Sequence, residues 1–132
     1  AQPPNIMSAL RLANLCNNML VHNEYNNVKI TYVGIDWLDK GDRLVCVDAH
    51  VTEMMKIPPS ELYINFTAAL QIQFDVSKTS QAFTLGNRLW AKQFLEHYIK
   101  SWYKRMGDFE KNNIFPFLKH IDEPPRRGLF EF

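Results

Sequence analysis

The residues with the clearest capacity for chemistry lie in "GIDWLDKGDRLVCVDAH", residues 34–50. Asp36 precedes a turn, and Asp48 and His50 follow it in an Asp-x-basic arrangement. Two carboxylates suit a hard divalent cation, and a basic group beside them can stabilise charge or assist an attacking water. Asp48 and His50 are adjacent on one strand face, and with Asp36 on the preceding strand they are the candidate metal ligands and catalytic groups. The competing reading is a polar strand face beside a charged turn of Asp39, Lys40, Asp42 and Arg43.

The pattern resembles the RecB-type motif of PD-(D/E)XK metal-dependent nucleases, which implies Mg²⁺-assisted hydrolysis of nucleic acid with Asp36 and Asp48 as ligands. It departs from that family where lysine belongs, because His50 stands there. Other chemistries find less support. Cys16, Cys46, His22, His50, His97 and His120 form no C-x-x-C or H-x-x-x-H pair of the kind that binds zinc. Phosphate-binding glycine loops and a G-x-S-x-G elbow are missing from the sequence. No cofactor is expected and, outside the nuclease alternative, no metal and no catalytic residue.

The elements that would position these residues follow from periodicity. Residues 6–22 place Ala9, Leu12, Ala13, Cys16, Met19 and Leu20 on one helical face, with Asn5 or Ser8 as cap and the asparagines at 23, 26 and 27 as its end. "VKITYVGIDWL" is β-branched and aromatic, "DKGD" is a turn and "RLVCVDAHVTEMM" returns. In the return strand Val45, Val47, Ala49 and Val51 share one face, and Cys46, Asp48, His50 and Thr52 the other. Pro58 and Pro59 break the sheet. In "ELYINFTAALQIQFDVSK" every even position from Leu62 to Val76 is apolar. Such a strand would extend roughly 50 Å. Either it bends at Ala68 and Ala69 or its end packs on another subunit.

The period then changes to 3.6. A helix capped by Thr79 or Ser80 runs to Gly107, with a buried stripe of Ala82, Leu85, Leu89, Ala91, Leu95, Tyr98 and Trp102, widened by Phe94, Ile99 and Met106. Arg88, Lys92, Glu96, Lys100 and Lys104 form a charged face, either solvated or a ridge for phosphates. The tail contains Pro116, Pro124, Pro125 and five of the nine phenylalanines. Residues 117–121 could form a helical turn, and "GLFEF" a last strand. The fold class is α+β: a three- to four-stranded, mainly antiparallel sheet with an N-terminal helix and a long C-terminal helix on one face, in the order α-β-β-β-α with a possible final β. Residues 1-107 form that domain, and 108-132 an extension packed on the domain or on a partner.

A charge of +1 gives no overall drive toward nucleic acid. Two cysteines make no disulfide framework, and no apolar run reaches the ~20 residues of a membrane span. A soluble, intracellular chain that does not associate with membranes is expected.

With this element order in place, "LQIQFDVSKTSQAFTLGNRLWAKQFLEHYI" resembles the strand-to-helix junction of bacteriophage tail-terminator (tail-completion) proteins. The likeness covers residues 68–99 in pattern and 6–106 in element order. It implies a non-enzymatic virion protein, or one in the host cytoplasm during assembly, forming homo-oligomeric rings against other structural proteins and joining tail to head. A self-associating assembly protein is therefore the leading expectation, with enzymatic activity left open but disfavoured. The alternatives are the divergent nuclease and an adaptor domain. The adaptor would bind an acidic or nucleic-acid partner through Arg126, Arg127, Phe130 and Phe132, or through the helix face of Arg88, Lys92, Lys100 and Lys104.

Overall fold

The computed structural model describes residues 5–24, 26, 28–75 and 78–126. The chain falls into two compact units, one up to Tyr98 and one from Ile99 onward. The first unit holds the core and both sheets. Its class is the expected α+β, with antiparallel strands, an N-terminal helix and the start of a long C-terminal helix.

The unit opens with a short strand, β1 (Asn5–Ser8), that runs directly into helix α1 (Ala9–His22). Ser8 is the cap, its side chain accepting the Arg11 N–H at 3.2 Å. Asn23 ends the helix in the left-handed region at φ 53° and donates its N–H to the last turn. The stripe expected from the spacing is the buried one: Ala9, Leu12, Ala13, Cys16 and Met19.

Strands β2 (Thr31–Asp39) and β3 (Leu44–Glu53) form a hairpin that is a sheet of its own. Its turn is closed by Lys40 N–H to Arg43 C=O at 2.9 Å and Gly41 N–H to the Asp39 carboxylate at 2.8 Å. Gly41 has φ 89°, a conformation glycine adopts at little cost. Lys29 donates to Glu53 at the base of the hairpin at 2.8 Å. That hydrogen bond holds the half-buried Glu53 carboxyl below its ordinary range, an effect present near neutral pH and lost as acid protonates it.

After two 3₁₀ turns around the prolines, β4 (Tyr63–Asn65) and β5 (Gln71–Gln73) pair with β1 in the order β1-β5-β4. The single long strand expected over 62–76 is therefore two three-residue strands. The bend at Ala68 and Ala69 is the option the chain takes, as a full reversal. Ala69 and Leu70 sit at φ 55° and 56°. Leu70 C=O accepts the first N–H of α1, from Ala9 at 2.9 Å. A left-handed non-glycine residue costs about 1–2 kcal/mol, so Ala69→Gly is expected to raise stability by roughly 1 kcal/mol in urea denaturation.

Helix α2 (Asn87–Asn113) begins eight residues later than the Thr79 expected as cap and passes through Gly107. Gly86 sits at φ 89°, which no helix accommodates. Residues 79–86 are instead fastened to the 3₁₀ region, Ser80 by hydrogen bonds to Glu61 and Phe83 N–H by Lys56 C=O at 3.0 Å. Gly107 stays helical, because a glycine stops a helix by turning left-handed and this one does not. Ala82, Leu85 and Leu89 are exposed, whereas Phe83, Trp90, Ala91 and Phe94 are buried.

These four join Met54, Met55, Ile57, Leu62, Ile64, Ile72 and Phe74 and the buried face of α1 in one core. Each fully buried aliphatic side chain contributes roughly 1.5–3 kcal/mol. Trp90 Nε1 donates to Ile57 C=O at 2.7 Å, and the His97 ring bonds Leu62 C=O at 2.7 Å, which ties α2 to the sheet region.

The second unit comprises the rest of α2 and a short helix α3 (Phe115–Leu118). Tyr103, Phe109, Phe115 and Phe117 are exposed there, and the Arg105 guanidinium lies 4.6 Å over the Phe109 ring. The expected final strand "GLFEF" lies outside the described residues.

Candidate functional site

Antiparallel pairing of β2 and β3 puts Asp36 opposite Asp48 and Gly34 opposite His50. Because Asp48 and His50 are two apart, all three polar side chains share one face. One donor atom from each of Asp36, Asp48 and His50 lies within 4.8 Å of the others. The Ala49 N–H donates to Asp48 Oδ1 at 2.9 Å. Beyond this pair the register slips, Trp37 opposing Cys46, so that Val47 is an extra residue.

Gly34 is what makes room for His50. A Cβ at position 34 would lie 2.7 Å from His50 Cε1 and nearer still to Nε2. Tyr32 bounds the other side, its ring 6.3 Å from His50 and 5.3 Å from Phe74. Like charges directly opposite on paired strands repel, and a cation between them would offset that. Two carboxylates and one imidazole fit a divalent ion of mixed preference. Both carboxylates are exposed, while His50 is half-buried.

A second constellation was visible in the sequence only as the polar side of an alternating strand. On the three-stranded sheet, Ile64 pairs with Ile72 toward the core, so Tyr63, Asn65, Gln71 and Gln73 share the opposite face. Asn65 donates its amide to Gln73 Oε1 at 3.3 Å, while its own oxygen accepts from Thr67 N–H and Oγ1 at 3.0 and 2.7 Å. These bonds fix which way the Asn65 amide points. Tyr63, Asn65, Thr67, Gln73 and Lys78 line a groove here together with the carboxylates of Glu61 and Asp75, the latter 3.9 Å from Lys78 Nζ. The useful signal was three amides at alternating positions of short strands.

The other expected site residues are dispersed. Arg88, Lys92, Lys100 and Lys104 are exposed on α2, and Arg126 is exposed near the end of the described chain. Arg127, Phe130 and Phe132 lie outside the described residues. Among the described residues, no helix is long and apolar enough to cross a membrane.

Comparison with known proteins turns on residues 1–121, which match the family model described as "Restriction endonuclease HincII". Over 121 residues the chain is 40% identical to the type II restriction enzyme HindII of Haemophilus influenzae, covering 92% of this chain and 47% of that protein. Identity and coverage are the same for the type II restriction enzyme HincII of Haemophilus influenzae. The chain thus spans about half the length of the curated relatives it matches.

These matches overturn the expectation of a non-enzymatic viral protein of the phage tail-terminator or head-tail joining kind, and leave its virion location and structural-protein partners without support. The likeness over 68–99 was that of an amphipathic strand handing over to an amphipathic helix, which any two-layer α+β packing produces. The ring argument rested on a projecting strand, and that strand is a hairpin within its own unit. The nuclease alternative is the reading that agrees with the relatives. The chain belongs to the HincII restriction endonuclease family.

Proposed function

We propose that this chain is part of an enzyme that cleaves DNA, and that its contribution is to read the base sequence through the amide face of the β1-β5-β4 sheet. The carrying observation is the alignment of Asn65, Gln71 and Gln73 on one face of a sheet in a restriction-endonuclease chain. Asparagine and glutamine amides present a donor and an acceptor side by side, which matches the edge of adenine in the major groove. Thr67 and Gln73 hold the Asn65 amide in one orientation before DNA arrives; since Thr67 fills both lone pairs of the Asn65 oxygen, a base must displace one Thr67 bond to use that acceptor, and Lys78 must leave Asp75 to reach a phosphate.

The chemical step is assigned elsewhere. PD-(D/E)XK chemistry uses an acidic residue, a spacer and a lysine, and no Asp-x-Lys or Glu-x-Lys occurs in these 132 residues. Asp48-x-His50 is the nearest approach, with Asp48 exposed, His50 half-buried and no lysine. This supports placing the metal-binding carboxylates and the lysine in the half of the family's length that this chain does not span. An intracellular location fits such an enzyme.

The full polypeptide carrying this chain, incubated with Mg²⁺ and plasmid DNA, is expected to cut at discrete sites. Asn65→Ala should lower kcat/KM at the preferred site by roughly ten- to hundredfold, because a lost base contact costs about 1–3 kcal/mol. Asp36→Asn with Asp48→Asn and His50→Ala should leave cleavage within about threefold. A thousandfold loss in that triple variant, with Asn65→Ala unaffected, would exchange the two assignments.

A further inference from the structure

The β2–β3 hairpin is oriented inside out. Its even-numbered face turns toward the unit's own core: Tyr32 packs against the core, and Gly34 and Thr52 are buried. That same face carries Asp36, Asp48 and His50. The opposite face is apolar and points to solvent. Val33 opposes Val51, Ile35 opposes Ala49 and Trp37 opposes Cys46, all of them exposed. Trp37 is 58% exposed and Val51 67%. A half-buried antiparallel sheet puts its apolar side inward, so a hairpin with the reverse order is built to be covered from the other side as well.

Two occupants compete: a second copy of the chain and a connected segment of the same polypeptide. Val33, Ile35, Trp37 and Val51 are each about half exposed or more, a patch toward the upper end of the roughly 300–600 Å² range of the largest apolar patch on a single chain. Two such patches face to face would only approach the ~1,200 Å² of a stable interface between separate chains. A covalently connected segment needs far less, because its effective concentration is already in the millimolar range. The curated relatives are about twice as long as the stretch this chain matches.

We propose that this face docks against the half of the family's polypeptide that the present chain does not span, through an apolar sheet or helix surface. The hairpin would then be an inner layer between two parts of one enzyme. This rests on the family relationship and is independent of the amide face.

Cys46 reports on the docking, since its thiol is exposed opposite Trp37. Cys16 is buried and serves as the folding control. Maleimide labelling is followed in two proteins: the 132-residue chain, and this chain joined to a cysteine-free version of the unmatched half of Haemophilus HincII at the junction the alignment defines. Cys46 is expected to react readily in the chain and at least tenfold more slowly in the fusion, with Cys16 protected in both. Ile35→Lys with Val51→Lys should restore fast labelling in the fusion. Equal Cys46 rates in both proteins, with Cys16 protected, would overturn the proposal. So would a concentration-dependent dimer of the chain, seen by sedimentation between 1 and about 100 μM, that protects Cys46 by itself. DNA cleavage is not the readout, so a failure here and a failure of the base-reading assignment remain distinguishable.

Discussion

Replacing Trp90 with alanine is expected to cost about 3–5 kcal/mol and bring the α+β unit close to unfolding. Truncating a fully buried tryptophan loses its transfer free energy and leaves a cavity. Trp90 has no exposed surface, and its ring lies 5.6 Å from that of Phe94 with planes only 5° apart. It also holds the Ile57 carbonyl, itself in a fully buried residue, with a 2.7 Å hydrogen bond. Against a total stability of about 5–15 kcal/mol, this loss is a large fraction. Trp90→Phe keeps most of the volume but leaves the Ile57 carbonyl unpaired, at about 1–3 kcal/mol. Urea denaturation should show midpoints in the order wild type, Trp90→Phe, Trp90→Ala with similar slopes. A Trp90→Ala loss under about 1 kcal/mol would contradict the packing described for this helix.

Alkaline pH is expected to destabilise the same core through Cys16. Burial pushes its thiol from the ordinary 9.0 up to about 12. Below pH 9 the thiol is protonated whether the chain is folded or not, so nothing is lost. Between pH 9 and 12 the unfolded chain gives up the proton while the folded chain keeps it. Stability therefore falls by about 1.4 kcal/mol per pH unit, approaching roughly 4 kcal/mol across the window. Tyrosines and lysines titrate in this range too, so the difference between wild type and Cys16→Ala isolates the thiol. At pH 7 Cys16→Ala should be modestly less stable, and its slope between pH 9 and 11 should be shallower by about one proton's worth. Parallel slopes would show that Cys16 does not carry the effect.

The parts of the fold that were legible in the sequence are those fixed by neighbours along the chain. Ser8, Asn23 and the spacing from Ala9 to Met19 specify α1 locally. The turn at Gly41 and the alternation on either side specify the β2–β3 hairpin; the spacing put Asp48 and His50 side by side, and the cross-strand register adds Asp36 to them. What was not legible depended on distant contacts. The alternation from Leu62 to Val76 continues unbroken through the reversal at Ala69 and Leu70. Period-2 patterning does not register a turn whose residues keep the same order of polar and apolar. The late start of α2 came from Ser80 and Phe83 being held by Glu61 and Lys56, which no periodicity encodes. The alternation marked Asn65, Gln71 and Gln73 as the polar side of a strand, but not that Gln73 is buried there and bonded to Asn65, because a strand's polar side is solvated by default. The acidic hairpin suggested a nuclease, the reading that the family match supports, although His50 stands where that motif has lysine.

The space between Gly34 and His50 constrains how this hairpin can change. While the imidazole of His50 keeps this orientation, a Cβ at position 34 meets its ring. A side chain at 34 therefore requires the ring to rotate away from the Asp36 and Asp48 carboxylates, or position 50 to shrink. The two positions are coupled, with glycine at 34 favoured by its cross-strand neighbour rather than by its own backbone, which is not in the left-handed region.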